Sequence, residues 1–163
     1  MDTALCAQNY TVTITDSKGC DTTTTVTIDS PDSLDLSDTA HTDITCFGAD
    51  DGTATVSPQG GTPGYDYKWH DCSTNNSIGQ TTQQATGLSP GSYFAEVSDT
   101  NGCADTTVCI PITEPPELTV TATVDQHVQC NGSCDGQASA TTSGGSGSIS
   151  FEWRPQGGSV FST

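Results

Sequence analysis

The amino-acid sequence predicts an all-β protein built from tandem copies of one small two-layer sandwich, and three observations predict it. The stretch from Cys46 to Trp69, CFGADDGTATVSPQGGTPGYDYKW, returns from Cys130 to Trp153 as CNGSCDGQASATTSGGSGSISFEW, at a constant offset of 84 residues (46 to 130, 69 to 153). Thr, Ser, Gly and Asp dominate the chain, and no stretch carries an apolar period of 3.6 residues. Short runs of period-two alternation are separated by Gly, Pro and Asp turn signals, the pattern of half-buried strands.

Taken in order, the chain opens with TALCAQNYTVTITDSKGC, ending at Cys20. Tyr10, Val12 and Ile14 lie on one face of a strand, and Thr11, Thr13 and Thr15 on the other. Asp16-x-x-Gly19-Cys20 turns the chain into a further strand around Val26 and Ile28. The same series recurs as GLSPGSYFAEVSDTNGC, Gly87 to Cys103, followed by a strand through Val108, Ile110 and Ile112. Proline joints at Ser30-Pro31-Asp32 and Glu114-Pro115-Pro116 stop the strands and stiffen the connections. The chain thus divides into the C-terminal half of one repeat (1–31), a complete repeat (34–116) and the N-terminal half of a third (117–163).

Seven short strands are expected in the complete repeat, centred on Leu34–Ser37, Asp43–Cys46, Thr53–Ser57, Tyr65–His70, Gln83–Thr86, Tyr93–Ser98 and Thr107–Ile112. Tyr65, Tyr67 and Trp69 alternate onto one face, with Trp69 at the centre of the core and Trp153 its counterpart. Leu88 to Tyr93 has the form of a tyrosine corner, in which the phenol bonds to backbone upstream; Tyr10 matches Tyr93. Regular short strands around a buried Trp make each repeat an immunoglobulin-like β-sandwich.

TCFGADDGTATVSPQGGTPGYDYKW, then GLSPGSYFAEVSDTNGC, then ITEP, strongly resembles the SprB repeat. CNGSCDG and LCAQNYTVTITDSKGC look like its cysteine-richer variant, while Asp71–Gln80 departs from the common pattern and carries an extra Cys72. The resemblance implies a repeat of the large surface adhesins of gliding bacteria exported by type IX secretion. It implies an extracellular, cell-surface location and a role as adhesive module or spacer, with a surface polysaccharide or solid substratum and the neighbouring repeats of the chain as partners. A carbohydrate-binding accessory module of an exported enzyme is the alternative, and needs an exposed aromatic platform for which Phe94 is the one clear candidate.

Composition narrows the function further. The net charge is −17, from 20 acidic residues against Lys18, Lys68 and Arg154, which argues against nucleic acid as a partner. No apolar run is long enough for a membrane span. Met1 begins no export signal, so the chain reads as an internal fragment of something longer. No catalytic triad or nucleophile elbow is present, and nothing singles out a carboxylate pair for glycoside cleavage, so no enzyme is expected.

Eight cysteines point to an oxidising compartment. The expected pairs in the complete repeat are Cys46–Cys103, which recur elsewhere as Cys130 and Cys20, and Cys72–Cys109, which do not. Against the first pair, the turns holding Cys46 and Cys103 fall at opposite ends of such a sandwich, and a bond from one repeat to the next remains the rival. Cys6 and Cys134 stand where the complete repeat has Ser89 and Asp50, and represent a bonded pair of the cysteine-rich subtype. His127, Cys130 and Cys134 lack an evident fourth ligand for zinc. Asp50, Asp51 and Asp135 could offer oxygens to calcium but stand in Asp-Gly turns without a spaced ligand series, so no cofactor is expected. His41, His70 and His127 read as isolated and solvated.

Overall fold

The structure is a computed structural model and describes residues 4–156; positions 1–3 and 157–163, at the outer bounds of the two end repeats, lie outside the described residues. All regular structure among the described residues is β, in eleven strands. The chain begins with a hairpin of β1 (Gln8–Thr15) and β2 (Asp21–Ile28), paired without interruption from Gln8↔Ile28 to Thr15↔Asp21. It closes with a second hairpin, β10 (Thr119–Gln126) on β11 (Gln137–Ser143).

Between them stand two facing sheets. One is β3 (Thr39–Thr42), β4 (Gly52–Val56) and β6 (Gln84–Leu88), with β4 in the middle. The other has β7 (Gly91–Ser98) at its centre. β5 (Asp66–Asp71) pairs with one edge of β7, and β8 (Ala104–Thr106) and β9 (Ile110–Ile112) pair with it at the other end of the order. All pairings are antiparallel. Alternation fills the space between the sheets. Ala54, Val56, Ala85 and Leu88 come from the first, and Trp69, Tyr93, Ala95, Val97, Ile110 and Ile112 from the second. Trp69 is fully buried, and its indole N–H donates to the Thr82 carbonyl at 2.9 Å, so the core's largest ring leaves no orphaned donor.

Three strand expectations change. Leu34–Ser37 is reduced to a single bridge, Asp35↔Gln59, because Asp35 turns back to accept from the backbone N–H and hydroxyl of Ser37. Asp43–Cys46 is a turn, and the pairing strand is the preceding Thr39–Thr42, whose Thr42 hydroxyl meets that of Thr53 at 2.8 Å. The last strand is split. Three residues separate Thr106 from Ile110, where only two separate the matching Thr23 and Val26. Thr107 stays in line, donating its N–H to Ala95 at 2.9 Å, while Val108 is thrown outward and is 78% exposed.

The atypical stretch after β5 folds back along that strand's free edge. Asp71 caps the bend by accepting from Ser73 N and Thr74 N, Asn75 takes a positive φ, and Ile78 N donates to the Trp69 carbonyl at 2.9 Å. The insertion therefore covers an edge that would otherwise present unpaired backbone groups. His70 on this strand is buried, contrary to the solvated position expected of it.

The end hairpins carry the same alternation, with only the segment around Trp153 set against the second among the described residues. Val12, Ile14 and Val26 are exposed on the first, and Val120 and Val124 on the second. The half-buried faces expected from their sequences stay largely exposed, because among the described residues no second sheet closes over either hairpin.

Candidate functional site

The polar and glycine residues shared by the repeats lie mostly in turns at the two ends of the central sandwich, while Ala54, Trp69 and Tyr93 stand on strands in the core. At the first end, the turn 43–51 is closed by Asp51, which accepts from Thr45 N at 3.0 Å and from the Thr45 hydroxyl. The Thr45 hydroxyl and then its N–H hold the Asp51 carboxyl below its usual range. Asp135 does the same in the third repeat, accepting from Ser133 Oγ at 2.8 Å and Gln129 N at 3.1 Å, and its carboxyl is lowered by those bonds in that order. Ile44 N donates to Thr113 O, Thr113 N to Asp43, and Gly48 N to Glu114, tying this turn to the outgoing chain.

At the second end, Asp99 is the hub. Its Oδ2 accepts from Thr62 N at 2.9 Å, and its Oδ1 from Asn101 N at 2.9 Å and Cys103 N at 2.8 Å. The Thr62 N–H leads the bonds that hold its carboxyl below the ordinary value. Asp16 repeats the arrangement, accepting from Lys18 N and Cys20 N at 2.9 Å each. The incoming joint crosses this end: Gly61 N donates to Asp32 O at 2.9 Å, and Gly60 takes φ +67° so close to Ser33 that a Cβ would sit 2.2 Å from the Ser33 carbonyl oxygen. The second joint is built alike: Gly145 N donates to Pro116 O at 2.8 Å, and Gly144 lies equally tight against Glu117.

The cysteines divide accordingly. Cys72 and Cys109 are bonded, with Cα atoms 6.3 Å apart and a sequence separation of 37. The outward bulge at Val108 brings Cys109 beside the inserted loop, where Cys72 N bonds to Ser92 O. The expected Cys46–Cys103 bond is absent: both thiols are free and exposed, one at each end of the sandwich. Cys6, Cys20, Cys130 and Cys134 are also free and exposed.

Among the described residues, no three His, Cys, Asp or Glu side chains cluster in a way that could hold a metal. Asp50 is exposed beside Asp51, whose oxygens, like those of Asp135, are taken by their own turns. Tyr93 donates its hydroxyl to Ser89 O at 3.1 Å and Tyr10 to Cys6 O at 2.9 Å, both four residues upstream. Trp153 is half-buried beside the third-repeat hairpin. Phe94, the candidate platform ring, stacks on His70 with centroids 4.9 Å apart and planes 11° from parallel. Glu96 stands 3.4 Å from His70 Nε2. Sequence reasoning missed this His70–Phe94 stack, although their facing positions on paired strands carried the signal.

No helix of the described residues is long and apolar enough to cross a membrane. Neither a curated protein nor a solved structure matches the chain. The family model for the SprB repeat matches residues 39–74 and 121–158, the first half of the central repeat and its copy. That family is a structural repeat of cell-surface proteins. With the turns, tryptophans and joints laid out in register at both matched stretches, the chain carries two SprB repeat segments.

Proposed function

We propose that the chain is a non-enzymatic stretch of a secreted cell-surface adhesin, serving as a stiff spacer and as a repeated contact surface. One observation supports this reading: apart from the free cysteines, the aspartates, glycines and tryptophan shared between copies serve construction. Asp51 and Asp135 close turns, Gly60 and Gly144 admit the joints, and Trp69 fills the core. Adhesion then belongs to exposed loops, each weak and multiplied by repetition through effective concentration. Beads coated with the chain should hold to a polysaccharide-coated or bare solid surface, and more firmly as coating density rises. Detachment at the rate of uncoated beads, at every density, would sink the proposal.

The second reading, a carbohydrate-binding accessory module, rests on the Phe94–His70 stack. One face of the half-buried Phe94 ring is already occupied by imidazole, which leaves less aromatic surface for a sugar. A glycan array on which Phe94→Ala removes binding would favour this reading over the first.

A further inference from the structure

We propose that Cys46 is one half of a disulfide between successive repeats. Its partner is the cysteine ending the Asp-x-x-Gly-Cys turn of the repeat that follows. A bond within one repeat is ruled out by distance. β4 alone, five residues from the Cys46 end to the Gly61 end, spans about 17 Å at ~3.3 Å per residue, against a Cα limit of about 7 Å.

The central repeat shows where an Asp-x-x-Gly-Cys turn sits. It rests on residues 61–62: Thr62 N donates to Asp99, Asn101 Nδ2 donates to Thr62 Oγ1 at 2.7 Å, and Cys103 hangs from Asp99. The residues matching 61–62 in the next repeat are Gly145 and Ser146, and they lie against the Cys46 turn. Ser146 Oγ donates to Thr45 O at 3.4 Å, and Cys46, Phe47, Pro115, Leu118, Gly145 and Ser146 line one groove. A turn seated on Gly145–Ser146 as Asp99–Cys103 is seated on Gly61–Thr62 delivers its cysteine into that groove. The other joint is the mirror case. Cys103 faces the joint residues Pro31 to Leu34, the place where a preceding repeat would present its own counterpart of Cys46.

The chemistry needs a disulfide oxidant such as oxidised glutathione. The Cys46 thiolate attacks the oxidant's disulfide and expels one glutathione thiolate, and the partner thiolate then displaces the second. One S–S bond forms between repeats, and the two electrons reduce the oxidant to two thiols. This linkage requires an oxidising compartment and the observed joint, and it is independent of what the array adheres to.

The test continues the full chain in register by repeating residues 80–116 after Thr163, which supplies the third repeat with its turn. After refolding in a glutathione redox buffer, non-reducing peptide mapping should recover Cys46 linked to the added turn cysteine. Recovery of Cys46 as a thiol, or of the added cysteine bonded to Cys130, overturns the proposal. Should the longer chain not fold, Ser146→Cys in the chain itself decides. Oxidation should join the new thiol to Cys46, and a free Cys46 in that variant overturns the joint on which the proposal stands.

Discussion

At the scale of single residues, the fold depends on a few side chains with no redundancy. Trp69 is enclosed by both sheets, so Trp69→Ala should cost about 3–5 kcal/mol in urea unfolding. Trp153→Ala, at a half-open position, should cost far less. Asp99 makes an acid-sensitive hub. Its folded carboxyl is held below the unfolded value of about 3.9, so its contribution is complete above that pH and is lost as pH falls through the lower folded value. Asp99→Asn should flatten the acid limb of melting temperature against pH. An unchanged acid limb would show that the hub does not contribute to acid sensitivity. Calcium should leave the melting temperature unmoved, since the Asp51 and Asp135 oxygens already accept from their own turns; a rise on titration would contradict this.

At the scale of elements, the sequence was legible wherever alternation or a turn motif acted locally. β4, β5 and β7 fall within a residue or two of their expected places, because Thr53–Ser57, Tyr65–His70 and Tyr93–Ser98 alternate cleanly. The misplaced second strand, expected at Asp43–Cys46, and the split last one depend on tertiary detail. Asp43 is recruited by Thr113, seventy residues away, and the extra residue at Val108 shows only when two ladders are compared. The Cys72–Cys109 bond fastens the inserted loop to that irregular strand. Replacing both cysteines by alanine should lower stability by about 4 kcal/mol, from the entropy of the loop it closes in the unfolded chain. Equilibrium unfolding of the double variant, compared with the parent under oxidising conditions, measures it. Gly60→Ala should also destabilise, since its Cβ would strike the Ser33 backbone rather than a movable side chain.

At the scale of the whole molecule, the repeat was visible before any coordinate, and so was the difficulty of pairing Cys46 with Cys103. What sequence could not show was the seating of Gly145–Ser146 on Thr45, a contact between copies that leaves no mark within either. The exposed hairpin faces follow from the same organisation. β1–β2 and β10–β11 expose valine and isoleucine that a complementary sheet would cover. Chains at high concentration should therefore associate, with light-scattering mass rising with concentration. Val12→Asp with Val120→Asp should suppress that rise, and a constant mass for the parent would count against it.

The Cys72–Cys109 crosslink has a mechanical consequence. When a surface tether is pulled, each rupturing domain lengthens the line by the slack stored in its fold. Here 37 residues of separation lie behind the bond, and about 130 Å of contour at ~3.6 Å per residue stays locked when the sheets give way. A cell anchored through such a strand would feel a short, stiff yield instead of a long one, and reduction would restore the missing extension in a force trace.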